Sequence, residues 1–275
     1  MPRLSMRTSL PRIAVLLAAG LWLAACSSSK KDDYVERPAE EFYNIGLDAL
    51  LAGEYEVAAK NFDEVERQHP YSSWAPRAEL LAAFSLYQAN KYDEAVAALD
   101  RFIQLNPGSD EIAYAYYLKA ICYYEQISDV RRDQEMTREA LSALQEVVRR
   151  FPDSAYARDA ALKIDLARDQ LAGQEMVVGR FYEQQGEYLA AINRFQTVVR
   201  DYQTTAHTPE ALHRLVESYL ALGLKDEAEA TGAVLGYNYP GSSWYVDTYR
   251  LLTGVDLRPQ AHEGSWISSV WHSVF

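Results

Sequence analysis

The chain has 275 residues, with 39 acids against 27 Lys and Arg, and a formal net charge of −12. Such a surface repels phosphate backbones and anionic headgroups, which argues against nucleic acid or bare lipid as a main partner. Two cysteines, Cys26 and Cys122, are too few for a disulfide framework. In chain order, residues 1–25 come first, with Arg3, Arg7 and Arg12 and no acid. They end in a 13-residue apolar run, Ile13 to Ala25. That run is too short to cross a bilayer, which takes about 20 residues. A basic head before a short apolar run predicts a secretory signal peptide.

The run closes as Leu23-Ala24-Ala25-Cys26, followed by three serines. This resembles the bacterial lipobox. The resemblance implies cleavage before Cys26, diacylglycerol on its thiol and acylation of the new amino terminus. Each buried methylene then contributes about 0.8 kcal/mol, so two or three chains hold a protein on a membrane. Residues 26–37 read as a polar tether. Ser27 is not the acid that signals inner-membrane retention in some bacteria, which favours the outer membrane. Cys122 is left as a single thiol. It lies in YLKAICYYE among apolar residues at helical spacing, so it is expected to pack as a small hydrophobe. An exported domain without a bridge must rely on its core.

From residue 38 the predicted class is all-α. Valine and isoleucine do not alternate, while Ala, Leu, Glu, Gln, Arg and Tyr recur at helical spacing. Helix stops repeat at Pro70, Pro107, Pro152 and Pro240, with Gln203 in the same role. Twelve residues before each stop stands an alanine: Ala58, Ala95, Ala140, Ala191 and Ala228. Eight before stand Phe62, Leu99, Leu144, Phe195 and Gly232, and five before stand Val65, Phe102, Val147, Val198 and Leu235. Gly53, Asn90, Gly186 and Gly223 sit where a first helix of each pair should end. Small residues on that first helix, Gly46, Ala83, Ala120 and Gly179, let paired backbones approach.

This pattern resembles the tetratricopeptide repeat (TPR). It implies a right-handed superhelical solenoid of five repeats near 39–72, 76–109, 113–154, 172–205 and 209–242, within a domain spanning 38–252. Pro70 and Pro107 stand 37 residues apart, as do Gln203 and Pro240, against a usual period of about 34. The third repeat carries 8 further residues around EQISDVRRDQEM, and the fourth is delayed by 14. The delay predicts one unusually long helix, or two abutting ones, across Ser154 to Gln185. Thr208-Pro209-Glu210 predicts a helix start, with Thr208 as N-cap, and Pro38 with Glu40 and Glu41 predicts another. The tail, 253–275, places Trp266, Ile267, Val270, Trp271 and Phe275 on one face of a short helix. It reads as a cap, a docking peptide or a segment at a membrane interface.

No chemistry-bearing motif stands out. There is no G-x-S-x-G, P-loop or C-x-x-C. His69, His207, His213, His262 and His272 include no i, i+4 pair, so no metal site is expected. The chain is read as a non-enzyme without cofactor.

Family positions for the inner face of such solenoids fall on Tyr43 and Leu47 in repeat one and Phe84 and Tyr87 in repeat two. In repeat three they fall on Tyr114, Tyr117 and Tyr124. These seven are the candidate contacts for an extended, aromatic-rich peptide. Repeats four and five offer polar groups instead, among them Arg180, Glu183, Glu210, His213 and Glu217. The phrases DRFIQLNP, FPDSAYARDA and INRFQTVVRDY, with the lipobox and the insertion after Cys122, resemble the BamD family of the β-barrel assembly machinery. The resemblance covers residues 26 to about 240 and implies an outer-membrane lipoprotein facing the periplasm. The first repeats would receive unfolded outer-membrane proteins. The last would hold the insertase BamA, beside other Bam subunits, and Arg194 of the INRF phrase would form an ion pair with BamA. The Trp-containing tail departs from the family pattern. A scaffold in peptidoglycan synthesis or cell division is the alternative reading, and a glycan-cleaving enzyme the third.

Overall fold

The computed structural model describes residues 36–254. The signal segment, Cys26, most of the tether and the tail from residue 255 lie outside the described residues. Contacts divide the chain after Pro38, and the unit beginning at Ala39 carries every helix described. Its helices are α1 (Ala39–Leu51), α2 (Tyr55–Gln68), α3 (Ala75–Gln88), α4 (Tyr92–Leu105), α5 (Ile112–Tyr124) and α6 (Glu135–Arg150). There follow α7 (Ala155–Gln184), α8 (Tyr188–Asp201), α9 (Thr208–Ala221), α10 (Lys225–Asn238) and α11 (Ser243–Thr253), with no strand among the described residues. Each helix packs on the next along the chain. Of the alternate helices, α1, α3, α5 and α7 also touch in sequence, so the first stack bends with these helices inside. That arrangement is a TPR solenoid.

The second helix of each of the first four pairs is amphipathic because its apolar residues recur at i, i+4 and i+7. The five alanines at the first of these positions are fully buried. So are the large residues four further on, Phe62, Leu99, Leu144 and Phe195. Burying each large side chain contributes about 1.5–3 kcal/mol.

The turns inside four of the pairs share one device. Gly53, Asn90, Gly186 and Gly223 take φ of 78°, 58°, 78° and 77°. The next N–H then reaches back five residues, as in Glu54 N to Ala49 O at 2.8 Å and Lys91 N to Leu86 O at 2.9 Å. This left-handed cap is where glycine costs least. Four second helices end two residues before their proline, and the backbone amides of the intervening caps, His69, Asn106, Phe151 and Tyr239, still bond to the helix. Tyr202, before Gln203, does the same without a proline. The stop is therefore held by packing as well as by ring sterics.

The closest approach within a hairpin lies at the small residue of its first helix. A Cβ added to Gly46 would stand 2.8 Å from the Phe62 ring, and one on Gly179 would collide with Phe195. Where the second helix carries Leu99 or Leu144, the first has room for Ala83 or Ala120. In the last pair Val216 holds the register position of the small residue and Gly232 that of the large one. There Leu252 of α11 comes in, 2.6 Å from where a Cβ would be.

Ser154 caps α7, accepting from Ala157 N at 3.1 Å. The helix runs 30 residues without a break, about 45 Å. Its first half closes the core of α5 and α6 through Ala160 and Ile164. Its second half pairs with α8 through Ala172 and Met176. The 14 extra residues therefore step the second stack along by about 21 Å. Two loops grip the middle of α7. Gln170 donates to Ser128 O at 2.6 Å, and Ala206 N donates to Asp169 at 3.3 Å. The insertion before α6 is braced by buried Gln134, which donates to Asp129 O and Arg132 O.

One start differs from expectation. Thr208 is the first residue of α9 rather than its cap, and its hydroxyl donates to Tyr202 O and Gln203 O to close the preceding loop.

The hairpin geometry makes a direct prediction. Gly179→Ala should cost about 1–3 kcal/mol by overpacking, and Phe195→Leu about 1 kcal/mol. The double variant recreates the Ala/Leu pairing of repeats two and three, so its loss in urea unfolding should fall below the sum by about 1 kcal/mol. Additive losses would mean that the two residues do not set the helix spacing.

Candidate binding faces

The rings on the inner face of α3, α5 and α7 form one trough. A groove of about 550 Å³ opens between α3 and α5, lined by Leu80, Leu81, Phe84 and Tyr114 together with Arg77, Asp110 and Glu111. Phe84 lies 6.3 Å from Tyr87, which lies 5.9 Å from Tyr92. Farther along, Tyr156 of α7 packs against Tyr114 at 5.5 Å and stacks on Tyr117 at 5.2 Å. The Tyr117 hydroxyl donates to Asp159 at 2.5 Å, and Asp159 pairs with Lys163 at 2.8 Å. Lys163 in turn stands 5.5 Å over the Tyr124 ring. Bonds from Lys163 and then Tyr117 hold the Asp159 carboxyl below the usual carboxylate range.

Of the seven peptide-contact candidates, Phe84, Tyr87, Tyr114, Tyr117 and Tyr124 are half-buried; Phe84 and Tyr114 line the groove, Tyr87 packs against Phe84, and Tyr117 and Tyr124 join them through Tyr156 and Lys163. Leu47 is half-buried too, against the core of the first hairpin. Tyr43 is a correction. It is 6% exposed, wedged between Phe62 at 5.6 Å and Trp74 at 4.7 Å, and so belongs to the core. Cys26 lies outside the described residues. Tyr92, Tyr156, Asp159 and Lys163 were missed by sequence reasoning, the last three because they stand on the extra turns of α7, outside the repeat register. The amphipathic length of that helix was the signal available for them.

The second stack carries charge. Arg180 donates to Glu210 at 2.9 Å, and Arg214 pairs with Glu217 at 2.8 Å and Glu183 at 3.5 Å. Buried His213 bonds Thr248 of α11 at 2.7 Å. A hydrogen bond to His213 is the main reason the Glu217 carboxyl is held low, while burial pushes Glu183 up. Arg194, on α8, is exposed and donates to Glu175 of α7 at 3.2 Å.

A stack of helical hairpins with an aromatic trough on one part and a self-paired charged face on another defines a scaffold of the TPR class. The chain matches the family "YfiO: Outer membrane lipoprotein" over residues 35–235 and belongs to it. A relative from Caulobacter vibrioides, "Outer membrane protein assembly factor BamD", is 54% identical over 90% of this chain and 81% of its own. Relatives of the same description from Rickettsia prowazekii and Neisseria meningitidis serogroup A are 48% and 32% identical. Each match covers 87% of this chain, with 96% and 95% of the respective relative.

Burial here has a titration consequence. It pushes the Cys122 thiol from 9.0 up to about 12 and the Tyr114 hydroxyl from 10.0 up to about 12. Burial and the bond to Asp159 push Tyr117 up as well. The folded state holds these protons more tightly than the unfolded one, so their stabilisation is complete below the unfolded values and is lost as pH rises. The urea midpoint should fall from about pH 9 toward pH 12, less steeply in Cys122→Ala or Tyr114→Phe. A midpoint flat across that window would contradict the burial of these groups.

Proposed function

We propose that this chain is a lipid-anchored scaffold on the periplasmic face of the outer membrane, serving assembly of outer-membrane proteins within a Bam complex. Cys26 carries the acyl chains. The trough of the first three repeats receives unfolded barrel precursors, and the fourth repeat, through Arg194, holds a BamA-like insertase. The observation that carries this reading is the row of half-buried rings at Phe84, Tyr87, Tyr114, Tyr117 and Tyr124. Solenoid cores bury such groups. Rings left at an open groove offer rigid, amphipathic contact area for an extended chain. Precursors of membrane barrels alternate apolar and polar residues and bear aromatic girdles, which matches that chemistry. Affinity for any one segment should be modest, because ordering a disordered client costs entropy.

Photocrosslinking probes separate the two roles in intact cells. A probe at Tyr87 should capture outer-membrane precursors, and one at Arg194 should capture the insertase. Capture of cell-wall synthases at both sites would replace this reading with a peptidoglycan scaffold. A Cys26→Ala chain should leave the membrane fraction, and its retention there would count against the lipid anchor.

A further inference from the structure

Arg194 and Glu175 leave the repeat pattern together. The counterparts of Arg194 on the other second helices are Asn61, Ala98, Ala143 and Thr231, all small and uncharged. The counterparts of Glu175 on the first helices are Phe42, Glu79, Tyr116 and Leu212. Among these hairpins only the fourth has opposite charges at both positions. The pair is partly in water, with Arg194 45% and Glu175 19% exposed. A pair so placed contributes about 0–1 kcal/mol to stability, so packing does not account for its presence.

The guanidinium is a planar fork of five N–H donors. Glu175 engages Nη1 alone, at 3.2 Å. Among the described residues Arg194 makes no other hydrogen bond or ion pair, which leaves its Nε–Nη2 edge to be occupied. Two parallel donors on that edge match a carboxylate in the bidentate geometry that makes Arg–carboxylate pairs strong and directional. Glu175 is itself seated near Tyr202, whose hydroxyl it helps to push up. Its helix, α7, is gripped by two loops, so the acid is a fixed reference point.

We infer that Glu175 is a positioning residue for Arg194: it fixes the guanidinium plane so that the Nε–Nη2 edge receives an Asp or Glu carboxylate of the partner. This rests on the reading of Arg194 as the insertase contact. The same geometry rejects a lysine as a substitute, since a point charge has no second parallel donor.

The test is affinity of the full mature chain for the periplasmic domains of the insertase from the same organism, by titration calorimetry. Arg194→Ala should weaken binding roughly tenfold. Glu175→Gln, nearly isosteric, should weaken it roughly threefold or more, with no further loss when added to Arg194→Ala. Glu175→Asp should fall between wild type and Glu175→Gln. Urea midpoints of the variants, unchanged, would show that the losses are not unfolding. Undiminished binding by Arg194→Ala would overturn the reading of Arg194 and this inference with it. If Arg194→Ala weakens binding but Glu175→Gln binds as well as or better than wild type, the positioning role alone is overturned. So it is if Glu175→Gln costs the same in the Arg194→Ala background.

Discussion

The architecture depends on how closely two helices of a hairpin can approach at one residue. At Gly46 and Gly179 a phenylalanine from the second helix lies against bare backbone. At Ala83 and Ala120 a leucine does the same with one methyl more on the other side. Volume is thus moved from one helix to the other, because a close-packed interior tolerates neither a void nor an extra methyl.

Under the proposed function, the inner face gives the tyrosines their role. A ring on a rigid helix has few rotatable bonds to freeze when a ligand arrives, so it binds at low entropic cost. The continuous α7 adds a wall to the trough through Tyr156, Asp159 and Lys163. Its extra turns also set the charged stack apart from the aromatic one along the helix. Under the proposed function, the client and the insertase therefore use different side chains. Cys122, fully buried and with its thiol held protonated, takes no part beyond filling the core.

Much of this was legible in the residues. The alanine ladder from Ala58 to Ala228, the glycines and Asn90 at left-handed turns, and the proline stops each express a local rule, and all agree. Counting reduced the delay of the fourth repeat to one long helix or two abutting ones, and the unbroken α7 is the first of these. Tyr43 was not legible. It occupies the same repeat position as Leu80 and Tyr117, yet Trp74, arriving from the loop before α3, seals it over. The role of Tyr156 was hidden because it belongs to no repeat. The partnership of Glu175 with Arg194 spans two helices and shows only when their repeat positions are read together. In each case a contact from another element decides, and single-helix periodicity carries no record of it.

The central claim is that one rigid solenoid offers two independent faces, an aromatic one for the client and a charged one for the insertase. Hydrogen exchange on the ternary complex tests it most directly, with the mature chain bound to a precursor-derived peptide and to the insertase together. The account predicts two separate zones of added protection, one on α3, α5 and the first half of α7, the other on α8 and its neighbours. Each zone should be unchanged by the other ligand. A single shared zone, or loss of one ligand's protection when the second is added, would contradict it.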